Sequence, residues 1–185
     1  GFDVYLLNVT NTQQIDDALK DILSKTGNKL DVVFNNAGFG QAGALEDIDT
    51  KHLREQFETN VFGLHYITHK AVKIMRNQGH GKIIQHSSVL GLISMKYRGA
   101  YNASKYAIEG LADTMRLELA GSNIHMSLLN TGPITSKFRE NSIKTIKNVD
   151  YDSSVHKEDY EKILARQNKK VPFNEPAASV AKVVE

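Results

Sequence analysis

The chain has 185 residues, 41% hydrophobic and 24% charged, which is enough for one domain with its own core. Its 23 basic and 21 acidic residues leave a formal charge of +2, which gives no electrostatic case for nucleic acid or an anionic membrane as partner. The lack of cysteine excludes disulfides and thiolate metal sites, and no apolar run approaches a membrane span.

The first residues, Gly1-Phe2-Asp3-Val4, carry no initiator Met and no signal-peptide pattern, and Val184-Glu185 close the chain inside a helix-like pattern. Both ends are therefore expected to be cut, and a cytoplasmic location is expected. Val4 to Val9 reads as a strand. Gln13 to Lys25 carries Ile15, Leu19 and Ile22 at helical spacing behind the N-cap candidate Thr12. Leu30 to Phe34 is apolar enough for a strand buried on both faces. A long helix opens at Asp49 or Thr50 and runs to about Met75, with Asn60 in its interior. Asn forms helices poorly, so Asn60 predicts a local distortion or a bound water.

After the break at Gly79-His80-Gly81, a strand runs from Lys82 to about His86, and a second long helix from about Ala100 to Ala120. Ile124 to Leu129 is the fourth strand. Thr135 to Asn174 is polar, lysine-rich and only partly helical, and residues 137–175 are expected to form a mobile substrate lid. Pro176 sits near the first position of a last helix. Alternating strands and helices predict an α/β fold: a doubly wound parallel sheet of Rossmann type with helices on both faces, in one domain spanning residues 1–185. Gly38, Gly40 and Gly43 match a dinucleotide fingerprint only loosely, because Glu46 and Asp47 come too soon for a ribose contact. They read as a loop at a strand end.

The chemistry lies in Ser87-Ser88-Val89-Leu90-Gly91 and Tyr101-Asn102-Ala103-Ser104-Lys105. Tyr101 and Lys105 are four apart on a predicted helix and so share one face. Ser88 lies thirteen residues before Tyr101 at a strand end, where α/β folds hold ligands. Hydride transfer to a carbonyl leaves an alkoxide that needs a proton, and the reverse reaction needs a base. Half-ionising a phenol near pH 7 takes about 3 pH units, roughly 4 kcal/mol, which a nearby ammonium can contribute. A serine hydroxyl within reach orients the substrate oxygen. Tyr66 and Lys70 repeat the spacing, but Leu53 stands where that pair would need its serine.

With Asn35-Asn36-Ala37-Gly38 at the end of the second strand and Asn60 in the next helix, these residues resemble the short-chain dehydrogenase/reductase family in its compact form. The resemblance covers nearly the whole chain and implies NAD or NADP as cofactor. It implies that Tyr101 is the catalytic acid/base, that Lys105 lowers its pKa and holds the nicotinamide ribose, and that Ser88 positions the substrate oxygen. Asn60 would support a proton-relay water. Asn36, Ala37 and Gly38 would line the adenine-ribose side, and Asn8 and Val9 would meet the adenine. Gly132, Ile134 and Ser136 would clasp the nicotinamide carboxamide.

Thr131 stands where the family usually has Pro, Ser136 where it usually has Thr and Asn8 where it usually has Asp, and the resemblance implies that the first two strands should precede Gly1 and the last strand follow Glu185. Residues that choose between NAD and NADP would fall in that preceding part. The apolar stretch Gly91 to Met95 and similarity to the hydroxysteroid and retinoid branch point to a lipophilic alcohol or carbonyl substrate. The family implies a homodimer or homotetramer built on the two long helices. Two other readings are a non-catalytic dinucleotide-binding or scaffold protein of the same fold, and a sugar-nucleotide epimerase. His65 and His69 lack a third ligand, so no metal is expected. His86 and Ser87 are strand neighbours that point to opposite faces, so Ser87 reads as structural.

Overall fold

The computed structural model describes residues 2–165 and 173–184. Helix α1 (Thr12–Thr26) begins at the N-cap Asn11, whose side chain accepts from the Gln14 amide, and ends at Gly27 in the left-handed conformation. The cap lies one residue before the expected Thr12. Strand β1 is Val32–Asn35. The first long helix is broken into α2 (Thr50–Phe57), a π-helical turn (Glu58–Gly63) and α3 (Leu64–Gln78). The distortion expected at Asn60 is this turn.

Strand β2 (Gly81–Ser88) is followed by a 3-10 turn at Val89–Gly91, helix α4 (Gly99–Glu118) and strand β3 (Ile124–Thr131). The three strands form one parallel sheet in the order β1-β2-β3. Successive crossovers run in the same direction, and right-handed connections then place their helices on the same face. On that face, Ala71 and Met75 of α3 and Ala112 of α4 pack on Ile83, Ile124 and Met126. Among the described residues, Val32, Phe34 and Lys82 point to the opposite face and are exposed.

Val4–Val9 is not a strand. Phe2, Val4 and Leu6 are almost fully exposed, and no described strand offers a ladder to their backbone. β-branched composition alone does not hold an unpaired segment in a sheet.

Beyond β3, a short strand β4 (Ile134–Thr135) pairs in parallel with β5 (Glu175–Pro176), which leads into α7 (Ala177–Val184). Between them lie α5 (Phe138–Lys144), a 3-10 turn (Thr145–Asn148) and α6 (Lys157–Ala165). Ile143, Ile146, Val149 and Tyr160 from this segment bury against Ala42 and Ala44, forming a second small core. The expected lid thus packs as a layer over the loop after β1; its residues 166–172 lie outside the described chain. Among the described residues, no helix is long and apolar enough to cross a membrane.

Candidate active site

Parallel strands gather their C-terminal ends at one edge of the sheet. Asn36, Ala37 and Gly38 follow β1 and are exposed there, Ser88 ends β2, and Gly132 follows β3. Helix α4 begins at the same edge and buries Tyr101 and Lys105, 8% and 6% exposed, on the stripe facing β2. Lys105 Nζ lies 5.6 Å from the Tyr101 ring centroid and donates to the His86 carbonyl oxygen at 2.6 Å. The Ser88 hydroxyl interacts with the Tyr101 phenol and also accepts from the Leu90 amide at 3.1 Å. Tyr101, Lys105 and Ser88 are therefore brought together.

The second Tyr/Lys pair has a different fate. Tyr66 Oη and Lys70 Nζ both donate to Asp16 of α1, at 2.9 and 3.1 Å, and so tie α1 to α3.

Asn60 is 1% exposed, and its amide spans the π-turn and the loop after β1. Its Oδ1 accepts from the Phe39 amide at 3.1 Å, while Nδ2 donates to the Phe39 carbonyl at 2.9 Å and to Ser104 Oγ at 3.1 Å. A Cβ on Gly38 would lie 3.1 Å from Asn60 Oδ1, so the loop leaves little room for a side chain there. Asn60 thus joins the loop to the helix carrying Tyr101.

The nominated outer residues are placed more loosely. Asn8 is exposed, and its Oδ1 accepts from the Thr10 amide and hydroxyl. Val9 lies against the π-turn, its carbonyl close to Gly63. Ile134 is held in the β4–β5 pair, and Ser136 Oγ accepts from the Phe138 amide at 3.3 Å.

Electrostatics depart from expectation in one respect. Burial pushes the Tyr101 phenol above its ordinary value, and Ser88 and the Arg98 charge only partly offset it. Lys105 is itself pulled down to about 8 by burial, against the opposing pull of the Glu109 carboxylate. Its ammonium is aimed at the His86 carbonyl, so the expected lowering of the phenol by Lys105 does not prevail. His86 falls to about 4 through burial and the Lys105 charge. As a neutral ring it bridges two strand ends: Nδ1 meets Asn36 Oδ1 at 2.5 Å and Nε2 meets Thr131 Oγ1 at 2.9 Å. Ser87 instead donates to Glu109, which keeps it apart from His86.

Several functional side chains escaped the sequence reading. Glu109 accepts from Ser87 and, at 2.6 Å, from Asn130 Nδ2, linking α4 to the ends of β2 and β3. Its signal was present, since it stands four residues after Lys105 on the same stripe. Asn102 fixes the loop after β2 by donating to the Leu90 and Ile93 carbonyls at 2.9 and 2.7 Å. Gln56 clamps the loop after β1 through the Gln41 amide and Phe39 carbonyl, both at long range in the chain.

The donor set fits a dinucleotide. A buried ammonium with one acceptor among the described residues keeps two protons for others, and the residue that accepts from it, His86, reaches exposed Asn36 through its ring. Among the described residues, no group of three or more His, Asp or Glu is arranged for a metal.

Comparison with known proteins identifies the family. Residues 2–147 match the short chain dehydrogenase family model. The uncharacterized oxidoreductase YbbO of Escherichia coli K12 is 41% identical over 78% of this chain and 54% of that protein. The 3-ketodihydrosphingosine reductase of Bacteroides thetaiotaomicron is 36% identical over 80% of this chain and 56% of its own length. A short-chain type dehydrogenase/reductase structure from Mycobacterium marinum superposes with a TM-score of 0.70 at 27% identity, over 74% of this chain and 54% of that one. The chain spans about half the length of the curated relatives it matches.

Proposed function

Since the chain belongs to the short-chain dehydrogenase/reductase family, whose members use NAD or NADP, we propose that the whole protein transfers a hydride between a nicotinamide dinucleotide and a lipophilic alcohol or ketone. The observation that carries this reading is the burial of Tyr101 and Lys105 on one helix face, with Ser88 interacting with the phenol at a strand end. In the carbonyl-reducing direction, Ser88 holds the substrate oxygen and Tyr101 donates its proton to that oxygen as negative charge develops. A phenol raised by burial is protonated at neutral pH and suits this role. In the oxidising direction Tyr101 must accept the proton, which calls for positive charge beside it. Lys105 supplies part of that charge and would hold the nicotinamide ribose. The dinucleotide, when bound, supplies or accepts the hydride.

In the same reading, Asn36, Ala37 and Gly38 line the adenine-ribose side, with Asn8 and Val9 beyond them. Gly132, Ile134 and Ser136 take the carboxamide side. Asn60 supports the proton path through the loop it braces, and residues 137–175 act as the lid of one dinucleotide-binding domain. The Bacteroides thetaiotaomicron relative is a 3-ketodihydrosphingosine reductase, which supports the lipophilic assignment. Assembly as a homodimer or homotetramer in the cytoplasm belongs to this proposal. Exposed Phe62, Tyr106 and Leu111 on the two long helices support the assembly.

The test is a titration of the full-length protein with NADH and NADPH, followed by nicotinamide fluorescence, and then a screen of lipophilic carbonyls. Tyr101→Phe should lower turnover by about 10³-fold while leaving dinucleotide binding nearly unchanged. Activity retained in that variant would remove Tyr101 from the acid/base role. Lys105→Ala should damage both binding and turnover, and normal binding would take Lys105 off the ribose.

A further inference from the structure

A cavity of about 420 Å³ opens between α5, α6 and the loop that leads into α4. Among the described residues, its wall carries the cationic side chains Lys96, Arg98, Arg139 and Lys162 and the carboxylate Asp159. Asp159 is already engaged: it accepts from Tyr97 and pairs with Lys96 at 3.0 Å and with Lys162 at 3.7 Å. Arg98 differs from its neighbours. It is half-buried, its guanidinium donates to the neutral Ser142 hydroxyl, and among the described residues no carboxylate stands within ion-pair distance. Burial and the adjacent Arg139 charge both work against its own charge. A half-buried guanidinium in that position gains from any anion that reaches it.

The cavity adjoins the reaction site. Arg98 precedes Tyr101 by one helical turn, and its charge acts on the phenol. Phe138, the residue before Arg139, packs on the Tyr101 ring at 5.3 Å. Between the charges the lining is apolar, with Ala42, Met95, Ile143 and Ile163. A cationic wall over an apolar floor suits an amphiphile with a negative end.

We propose that this cavity seats an anionic group, a carboxylate or phosphate, carried on the apolar body of the substrate, with Arg98 as its principal partner. The inference rests on the oxidoreductase reading above, because it takes the ligand in the cavity and the substrate at Tyr101 to be one molecule. It adds a charge requirement that lipophilicity alone does not contain.

The probes are decanoate and 1-decanol, measured by calorimetry on the full-length protein and as inhibitors of carbonyl reduction. Decanoate should bind more tightly than decanol and compete with the carbonyl substrate. Arg98→Gln should weaken decanoate by about tenfold and leave decanol within about twofold, the size expected for one charge-assisted contact. Arg98→Lys should restore part of the loss. Decanoate affinity of the unmodified protein should also fall as salt is raised, a readout that survives if Arg98→Gln fails to fold.

Equal binding of the two probes, salt-independent binding of decanoate, or non-competitive inhibition would overturn the assignment. Nicotinamide fluorescence on the same samples separates the two levels. Normal dinucleotide binding with no preference for decanoate defeats the anion subsite alone. No dinucleotide binding defeats the oxidoreductase reading beneath it.

Discussion

At the scale of single residues, the site is governed by how few charges it buries and how each is opposed. Glu109 is the carboxylate that works against the desolvation of Lys105, whose pKa stands near 8. Glu109→Gln keeps the shape and the acceptor for Ser87 and Asn130 but removes that charge, so Lys105 should lose its proton at a lower pH. The alkaline limb of the kcat/KM profile should move to lower pH, with a severalfold loss of activity at pH 8, read from initial rates across pH. An unmoved limb would show that Glu109 only fastens strands to helix.

His86 gives a second prediction at this scale. Its folded value of about 4 lies below the ordinary 6.5, so between these pH values the unfolded chain binds a proton that the folded one refuses. Stability is then complete above pH 6.5 and falls as pH drops toward 4, by about 3 kcal/mol at most. Urea denaturation across that window should show the loss, and His86→Asn should flatten it.

At the scale of elements, the two long helices are limited by close approach. A Cβ at Gly63 would come within 2.4 Å of the Val9 carbonyl oxygen, a backbone atom that cannot step aside cheaply. At Gly99 the three atoms nearest an added Cβ all belong to the side chain of Leu45, which is 63% exposed and so has room to move. Gly63→Ala should therefore cost about 1–3 kcal/mol in thermal or urea unfolding, whereas Gly99→Ala should cost under about 0.5 kcal/mol.

These elements also show what could be read without coordinates. Three parallel strands, the long helices and the Ser88, Tyr101, Lys105 cluster follow from apolar periodicity and from i, i+4 spacing, which are local rules. Asn60 was legible as a distortion because a poor helix former in an apolar stripe needs a reason. Val4–Val9 failed because a strand is defined by its partner, and composition says nothing about whether one is there. Arg98 and Gln56 were invisible for the same cause, since their partners lie 44 and 15 residues away in the chain.

At the scale of the whole molecule, the segment after β3 is held to the body by a small apolar core and a set of hydrogen bonds, with the buried Tyr160 phenol among them. Tyr160 Oη donates to Asp47 at 2.5 Å and accepts from the Ala44 amide at 2.8 Å, while its ring packs among Tyr97, Tyr151 and His156. Desolvation and the Asp47 carboxylate push this phenol up to about 12, so it stays a donor at any working pH. Tyr160→Phe leaves the ring contacts but strands the Ala44 amide and, among the described residues, leaves the Asp47 carboxylate with only the Ser154 hydroxyl, at a cost of about 1–3 kcal/mol. Hydrogen exchange should then quicken across residues 138–165 and leave β1, β2 and β3 unchanged. Uniform quickening would mean that lid and sheet open as one unit.

The π-turn at Glu58–Gly63 has a consequence for how this chain tolerates change in length. Each helical residue advances the screw by about 100°, so a wide turn works as a single-residue spacer between two segments that must each face their own neighbours. Upstream of the spacer, Gln56 meets the loop after β1; downstream, Leu64, Thr68 and Ala71 face the sheet side. Removing one residue within the turn would relax it to an ordinary helix with both flanks still in phase, whereas removing a second would rotate everything after it by about 100°, away from the core. Point substitutions at exposed Glu58 or Phe62, or at half-buried Thr59, leave that phase intact. The segment is therefore permissive to spelling and to the loss of one residue, and intolerant of the loss of a second.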